Sequence, residues 1–143
     1  MAYCTYSDVD ALMSVTHDGS SVPTSTNVTA FTVDVSAEID GVAQAAGYVV
    51  PITGADGLAL LNSYATMGAA VKAWHAGFQS SDAPANVVYW QKSYEDFLMR
   101  LRKGDQALPA ETIGAGTATV AAFSVPSKSA RYWSRKRDRL DAE

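Results

Sequence analysis

The side chains best suited to chemistry are few in this chain and lie far apart. Its 143 residues include two histidines, His17 and His75, and one cysteine, Cys4. Neither histidine stands at a spacing from a second histidine, cysteine or carboxylate that is typical of a zinc site. A nucleophilic cysteine needs a base beside it, and no such base is evident for Cys4. We therefore predict a surface or interface position for His75 and a buried apolar one for Cys4.

Three carboxylates, Asp34, Glu38 and Asp40, form an acidic cluster in one helical segment. Asp34 and Glu38 are one turn apart and could bind a cation, which leaves a small metal enzyme as one hypothesis. No third ligand or general base accompanies them, and runs of charge are usually solvated faces. We predict a solvated or subunit-facing acidic surface, and we expect no catalytic residue, metal or cofactor.

The C-terminal end differs in charge from the rest of the chain. Residues 1–104 carry ten acidic and five basic residues, whereas the last sixteen residues carry six basic and three acidic ones. Basic residues are interleaved with two aromatic ones there: Arg131, Tyr132, Trp133, Arg135, Lys136, Arg137 and Arg139. This mixture is enriched at protein interfaces and at nucleic-acid surfaces, and a frayed solubilising tail is the plainer alternative.

An apolar run with strand-like composition precedes this basic end and includes Thr117, Val120 and Phe123. No partner strand is visible elsewhere in the sequence. We predict that residues 105–143 form an extended C-terminal arm, with one β-strand or short helix, that orders on a partner.

Hydrophobic periodicity predicts four helices before this arm, over about 7–15, 28–46, 56–79 and 84–103. Ser7 is the expected N-cap of the first helix, Gly47 and Gly104 are expected to end the second and fourth, and 48–52 reads as extended. The expected buried stripes of the last three helices are Val28, Phe31, Val35, Ile39, Val42 and Ala46; Leu60, Tyr64, Met67, Val71, Trp74 and Phe78; and Val87, Trp90, Tyr94, Phe97 and Leu101. The sequence therefore predicts an all-α four-helix bundle over residues 1–104.

Composition narrows the class of protein. The isoelectric point of about 5.0 disfavours a dedicated nucleic-acid binder. A single cysteine excludes an internal disulfide framework. No window approaches the roughly 18 apolar residues of a membrane span, and the N-terminus does not resemble a signal peptide. We expect a soluble protein, without membrane contact, that stays in the compartment where it is made.

Three segments resemble one protein family. They are Tyr3-Cys4-Thr5-Tyr6-Ser7-Asp8-Val9, Ser36-Ala37-Glu38-Ile39-Asp40-Gly41 and Gly47-Tyr48-Val49-Val50-Pro51-Ile52. Together they resemble the head–tail connector proteins of tailed bacteriophages, also called adaptor or head-completion proteins. The likeness covers about residues 3–104. Gly47 stands where many members have an arginine, so no role of that arginine is carried over.

The resemblance implies a structural role. Members are small helical bundles without enzymatic activity that assemble, usually as dodecamers, into a ring in the neck of the virion, and assembly takes place in the host cytoplasm. The ring joins the portal protein at the capsid vertex to a stopper or tail-completion protein and extends the DNA channel. The arm would dock on the portal through Arg131, Tyr132, Trp133 and Arg135, and 117–125 could add to a portal strand. Asp34, Glu38 and Asp40 would then face the channel or a neighbouring subunit, where like charges let DNA pass without sequence-specific contact.

One rival from another class stays open at this point. A packaging accessory protein could bind nucleic acid through the basic tail. Its affinity for DNA would depend on salt and would disappear when the tail is removed.

Overall fold

A computed structural model describes residues 1–78 and 82–109 of the chain. They form four helices: α1 (Tyr6–Met13), α2 (Ser25–Ala45), α3 (Ala55–Gly77) and α4 (Ala85–Lys103). The predicted all-α four-helix fold is confirmed. Residues 105–109 of the predicted arm are described, and the rest of the arm, with the strand-like run over 117–125, lies outside the described residues.

The helices are arranged around α3. Helices α2, α3 and α4 each pack against the other two, whereas α1 packs on α2 and α3 and, within the described residues, makes no packing contact with α4. Helices α1 and α4 thus flank α3 on different sides. None of the four described helices is long and apolar enough to cross a membrane.

The start of α1 is fixed by a capping box. The Thr5 hydroxyl accepts a hydrogen bond from the Asp8 backbone N–H, and the Asp8 carboxylate accepts one from the Thr5 backbone N–H. Two N–H groups that the helix leaves without partners are satisfied in this way. The prediction of Ser7 as N-cap was therefore wrong: Thr5 forms the reciprocal bonds with Asp8, whereas Asp10, three residues after Ser7, is bonded to His17 instead.

Helix α2 buries a face shifted from the predicted one. Its buried residues are Val28, Thr32, Val35, Ser36, Ile39 and Ala43, whereas Phe31, Val42 and Ala46 are only half-buried. Thr32 and Ser36 donate their hydroxyl protons to carbonyl oxygens three and four residues earlier, at 2.7 Å each. Because the helix itself satisfies these hydroxyls, small polar side chains can occupy the buried face without an unpaired group.

Helix α3 buries mainly small residues, together with Leu61 and Trp74, and leaves most of its other large residues at the edge of the core. Gly57, Leu61, Ala65, Thr66, Gly68, Ala69, Ala70, Ala73 and Trp74 are buried. Of the predicted stripe, Leu60, Tyr64, Met67 and Val71 are half-buried, and Phe78 is 58% exposed. The prediction that this stripe is the core is thus wrong for most of its members. Three helices surround α3, and small residues let them approach closely.

Helix α4 follows the prediction in full, since Val87, Trp90, Tyr94, Phe97 and Leu101 are its buried residues. Gly47 and Gly104 have positive φ angles of 94° and 78°, as expected where α2 and α4 end. The chain packs on the bundle beyond Gly104. Leu108 is buried, and its backbone N–H donates to the Tyr48 hydroxyl at 3.2 Å.

Candidate functional site

Glu38 ties three helices together. One carboxylate oxygen accepts from the Lys72 ammonium on α3 at 2.7 Å, and the other accepts from the Tyr94 hydroxyl on α4 at 2.8 Å. Burial opposes ionisation of Glu38, but the hydrogen bonds from Lys72 and Tyr94 together outweigh it and hold its pKa below the usual value of 4.5. Burial and the neighbouring carboxylate raise the pKa of Tyr94 well above its ordinary range. This carboxylate is therefore an ionised link within the bundle.

Asp40 accepts a hydrogen bond from the hydroxyl of Tyr3. The same hydroxyl accepts from the Ile52 backbone N–H at 3.0 Å, so it bridges α2 and the segment before α3. The Tyr3 backbone is held as well, by Ser36 Oγ at 2.9 Å and by the amide of Asn62 at 3.1 Å. The N-terminal segment is thus tied to both α2 and α3, with a buried aromatic ring at the junction.

Asp34 is the member of the predicted acidic cluster that lies exposed and makes no ion pair or side-chain hydrogen bond within the described residues. A cation shared by Asp34 and Glu38 would have to compete with the two partners that already occupy the Glu38 oxygens. Within residues 1–78 and 82–109, no three histidine, cysteine, aspartate or glutamate side chains come together as metal ligands would.

The segments that carry the family resemblance meet in one place. Tyr3 contacts Asp40 and Ile52, and these residues belong to the three separate segments. Tyr48, from the third segment, holds the chain that follows α4 through its bond to Leu108. These residues stabilise the inside of the bundle, and their hydrogen bonds fix how the N-terminus, α2 and the segment before α3 meet.

The thiol and one imidazole also have structural partners. Burial raises the pKa of the Cys4 thiol to about 11 against an opposing hydrogen bond from Thr66, so the group stays protonated at neutral pH. The buried position predicted for Cys4 is confirmed, and the surface position predicted for His75 is confirmed. His17 is buried and bonded to Asp10 through its ring Nδ1 and its backbone N–H. Sequence reasoning missed this pair because a loop, rather than a regular spacing, brings it together.

Two grooves border the outward face of α3. One, of about 330 Å³, lies between α1 and α3 and is lined by Asp8, Ala11, Leu12, Asn62, Ser63 and Met67. The other, of about 270 Å³, lies between α3 and α4, where Tyr64 stacks on Phe97 with ring centroids 4.1 Å apart, and Arg100 lines it too. Ser63 and Met67 line both grooves, so they form a ridge between α1 on one side and α4 on the other.

Charge is distributed unequally about this ridge. Residues 1–71, which include α1 and α2, carry seven acidic residues and no lysine or arginine. Residues 72–109 carry five basic and four acidic residues, and Arg100, Arg102 and Lys103 lie in the last turn of α4. The flank formed by α1 is therefore acidic, and the C-terminal end of α4 is basic.

The predicted partner-binding residues of the C-terminal arm lie outside the described residues. They are Thr117, Val120, Phe123, Arg131, Tyr132, Trp133, Arg135, Lys136, Arg137 and Arg139. Their roles stay predictions. Comparison of the chain with family models, with curated proteins and with solved structures gives no match.

Proposed function

We propose that the chain is a structural protein of a bacteriophage virion that forms an oligomeric ring between the portal at the capsid vertex and the tail or stopper, and extends the DNA channel. The ring is a homo-oligomer, expected to be a dodecamer, in the neck of the particle. It carries no catalytic residue, and the DNA that passes through it is contacted without sequence specificity.

The observation that carries this proposal is the meeting of the three family-like segments through Tyr3, Asp40 and Ile52. Residues that resemble a family over short, separate stretches could match by chance. Here they contact one another and fix one corner of an all-α bundle, so the three segments belong to one structural unit. The exposed Asp34 on the acidic helix α2 also suits a channel lining, because like charges repel the phosphates of DNA.

Light scattering with the portal ring encoded by the same genome tests the proposal. We expect the protein to join the portal as a large complex of fixed stoichiometry. Deletion of residues 126–143 should abolish this complex while leaving the bundle of residues 1–104 folded. Full portal binding by the shortened chain would contradict the docking role of Arg131, Tyr132 and Trp133.

The same samples separate the rival function, a packaging accessory protein that binds DNA through the basic tail. That function predicts no complex with the portal and a DNA affinity that falls as salt rises, because bound phosphates release their counterions. An affinity for DNA that needs residues 126–143, without portal binding, would overturn the connector proposal.

A further inference from the structure

The groove between α1 and α3 is lined by both apolar and polar side chains. Ala11, Leu12 and Met67 supply the apolar surface, and Asp8 lines the same groove. The Asp8 carboxylate accepts two bonds from Thr5, at 2.7 and 2.8 Å, and one from the amide of Asn62 at 3.3 Å. These donors, the Thr5 backbone N–H first, hold the pKa of Asp8 below 3.8. The groove therefore presents a fixed negative charge beside the exposed Ala11 and the half-buried Leu12 and Met67.

Helix α4 carries the complementary features on its outward face. Tyr89 is 63% exposed, Val88 52% and Met99 47%, so three large apolar side chains are uncovered on one helix. The same helix carries four basic residues, Lys92, Arg100, Arg102 and Lys103, against Glu95 and Asp96, so its net charge is positive. A surface that joins an aromatic residue, a methionine and an arginine has the composition enriched in protein interfaces.

The two surfaces cannot meet within one molecule, because α1 and α4 lie on different sides of the Ser63–Met67 ridge and make no packing contact. They can meet between two copies. Unlike charges on the two flanks of one molecule favour head-to-tail association, in which each copy uses both of its surfaces. Such an interface closes into a ring when the rotation between copies closes.

We infer that copies of this chain associate head to tail, with the outward face of α4 from one copy, centred on Tyr89, seated in the α1–α3 groove of the next. This interface deepens the connector proposal and rests on it, since it is the contact that would repeat around the ring. The occupant of the groove is a second copy. Its α4 offers exposed apolar side chains and a net positive charge, and the groove offers apolar side chains and the negative charge of Asp8.

Two exposed substitutions each destroy one half of the contact. Ala11→Arg fills the groove and places a positive charge where positive charge must arrive. Tyr89→Glu removes the aromatic ring and brings a negative charge toward Asp8. Both positions are exposed on helices, so neither change removes a buried side chain. Val33→Glu is the matched control, because Val33 is also an exposed apolar residue, 54% exposed, on the outer surface of α2.

Sedimentation velocity of the free protein up to millimolar concentration, at low salt, provides the readout. We expect the unchanged chain and Val33→Glu to associate alike, and Ala11→Arg and Tyr89→Glu each to weaken association about tenfold or more. A mixture of the two defective variants should form one-to-one dimers, because Ala11→Arg keeps an intact α4 face and Tyr89→Glu keeps an intact groove. Rising salt should weaken association of the unchanged chain.

Three outcomes would overturn the interface: an unchanged chain that stays monomeric at millimolar concentration, variants that associate as well as the control, or a mixture that forms no dimer. Portal binding is read separately. An interface that behaves as expected in a protein that ignores the portal would refute the connector proposal and keep the head-to-tail contact. If Ala11→Arg and Tyr89→Glu bind the portal and still close a full ring, the head-to-tail contact is refuted and the connector proposal is kept.

Discussion

Gly68→Ala tests whether the close approach of α3 and α4 is needed for the fold. A Cβ atom at Gly68 would lie 3.0–3.1 Å from three ring carbons of Tyr94. The ring cannot simply move outward, because Tyr94 is only 8% exposed and its hydroxyl is bonded to Glu38 at 2.8 Å. Added volume at this point must therefore push α3 and α4 apart or break the bond to Glu38.

Two opposing effects set the magnitude. Alanine in place of glycine inside a helix gains about 1 kcal/mol of helix stability. Forcing a methyl group into a filled site costs about 1–3 kcal/mol. Stretching the hydrogen bond from Tyr94 to the ionised Glu38 costs about 1 kcal/mol more. Hydrogen bonds to a charged group contribute about 1.5–3 kcal/mol when buried. They contribute less when, as here, the carboxylate is 46% exposed. We expect a net loss of about 1–3 kcal/mol, equivalent to a melting temperature lower by roughly 4–12 °C.

Urea unfolding followed by circular dichroism measures this loss, and Gly41→Ala is the matched control. Gly41 is a helix-interior glycine on α2 with no atom within 4 Å of an added Cβ, so its replacement should stabilise the protein by about 0.5–1 kcal/mol. In a Tyr94→Leu background the obstructing ring is gone, and Gly68→Ala should become stabilising as well. A gain in stability from Gly68→Ala in the unchanged background would refute the reasoning.

Three further experiments test the hydrogen bonds of Tyr3, the ionisation of Glu38 and the burial of Cys4. Tyr3→Phe leaves the buried backbone N–H of Ile52 without its acceptor, and urea unfolding should show a loss of about 1–3 kcal/mol. The pKa of Glu38 is lower in the folded state than the usual 4.5. Its contribution to the free energy of unfolding is therefore complete above about pH 4.5 and is lost as pH falls through the folded pKa. The free energy of unfolding of Glu38→Gln should vary less with pH in this range than that of the unchanged chain. Because burial raises the pKa of Cys4 to about 11, a thiol reagent at pH 8 should modify the folded protein far more slowly than the protein in urea, and equal rates would contradict the buried position.

The helices could be predicted from the sequence because each is encoded locally. In α4 the large apolar residues repeat on one face, and all five predicted core positions are buried. In α3 the same argument selects the wrong face, because periodicity weights large side chains and this helix is surrounded by neighbours. Its centre is occupied by Ala65, Gly68 and Ala69, whose small size is the feature that allows close packing. The number of neighbours around a helix is a tertiary property that its own sequence does not state.

The polar contacts between helices could not be predicted from the sequence, because they too depend on tertiary structure. Glu38 meets Lys72 and Tyr94 across separations of 34 and 56 residues, and Tyr3 meets Ile52 across 49. Spacing rules apply within one helix or strand and carry no information about pairs that folding brings together. The acidic cluster could be recognised as unusual from the sequence. The rotation of α2 in the bundle decides which of its members, Glu38 and Asp40, form hydrogen bonds and which, Asp34, is exposed.

That rotation bears on where partners can bind. Glu38 is engaged with Lys72 and Tyr94, and Asp40 with Tyr3, so changes at these two positions should act first on folding. Substitutions at exposed positions such as Ala11 and Tyr89 remove no buried side chain. At these positions an effect on partner binding can be told apart from an effect on folding. A substitution at Glu38 that weakened assembly would therefore be uninformative without a stability measurement. One at Tyr89 that weakened assembly with the unfolding curve unchanged would identify a contact surface directly.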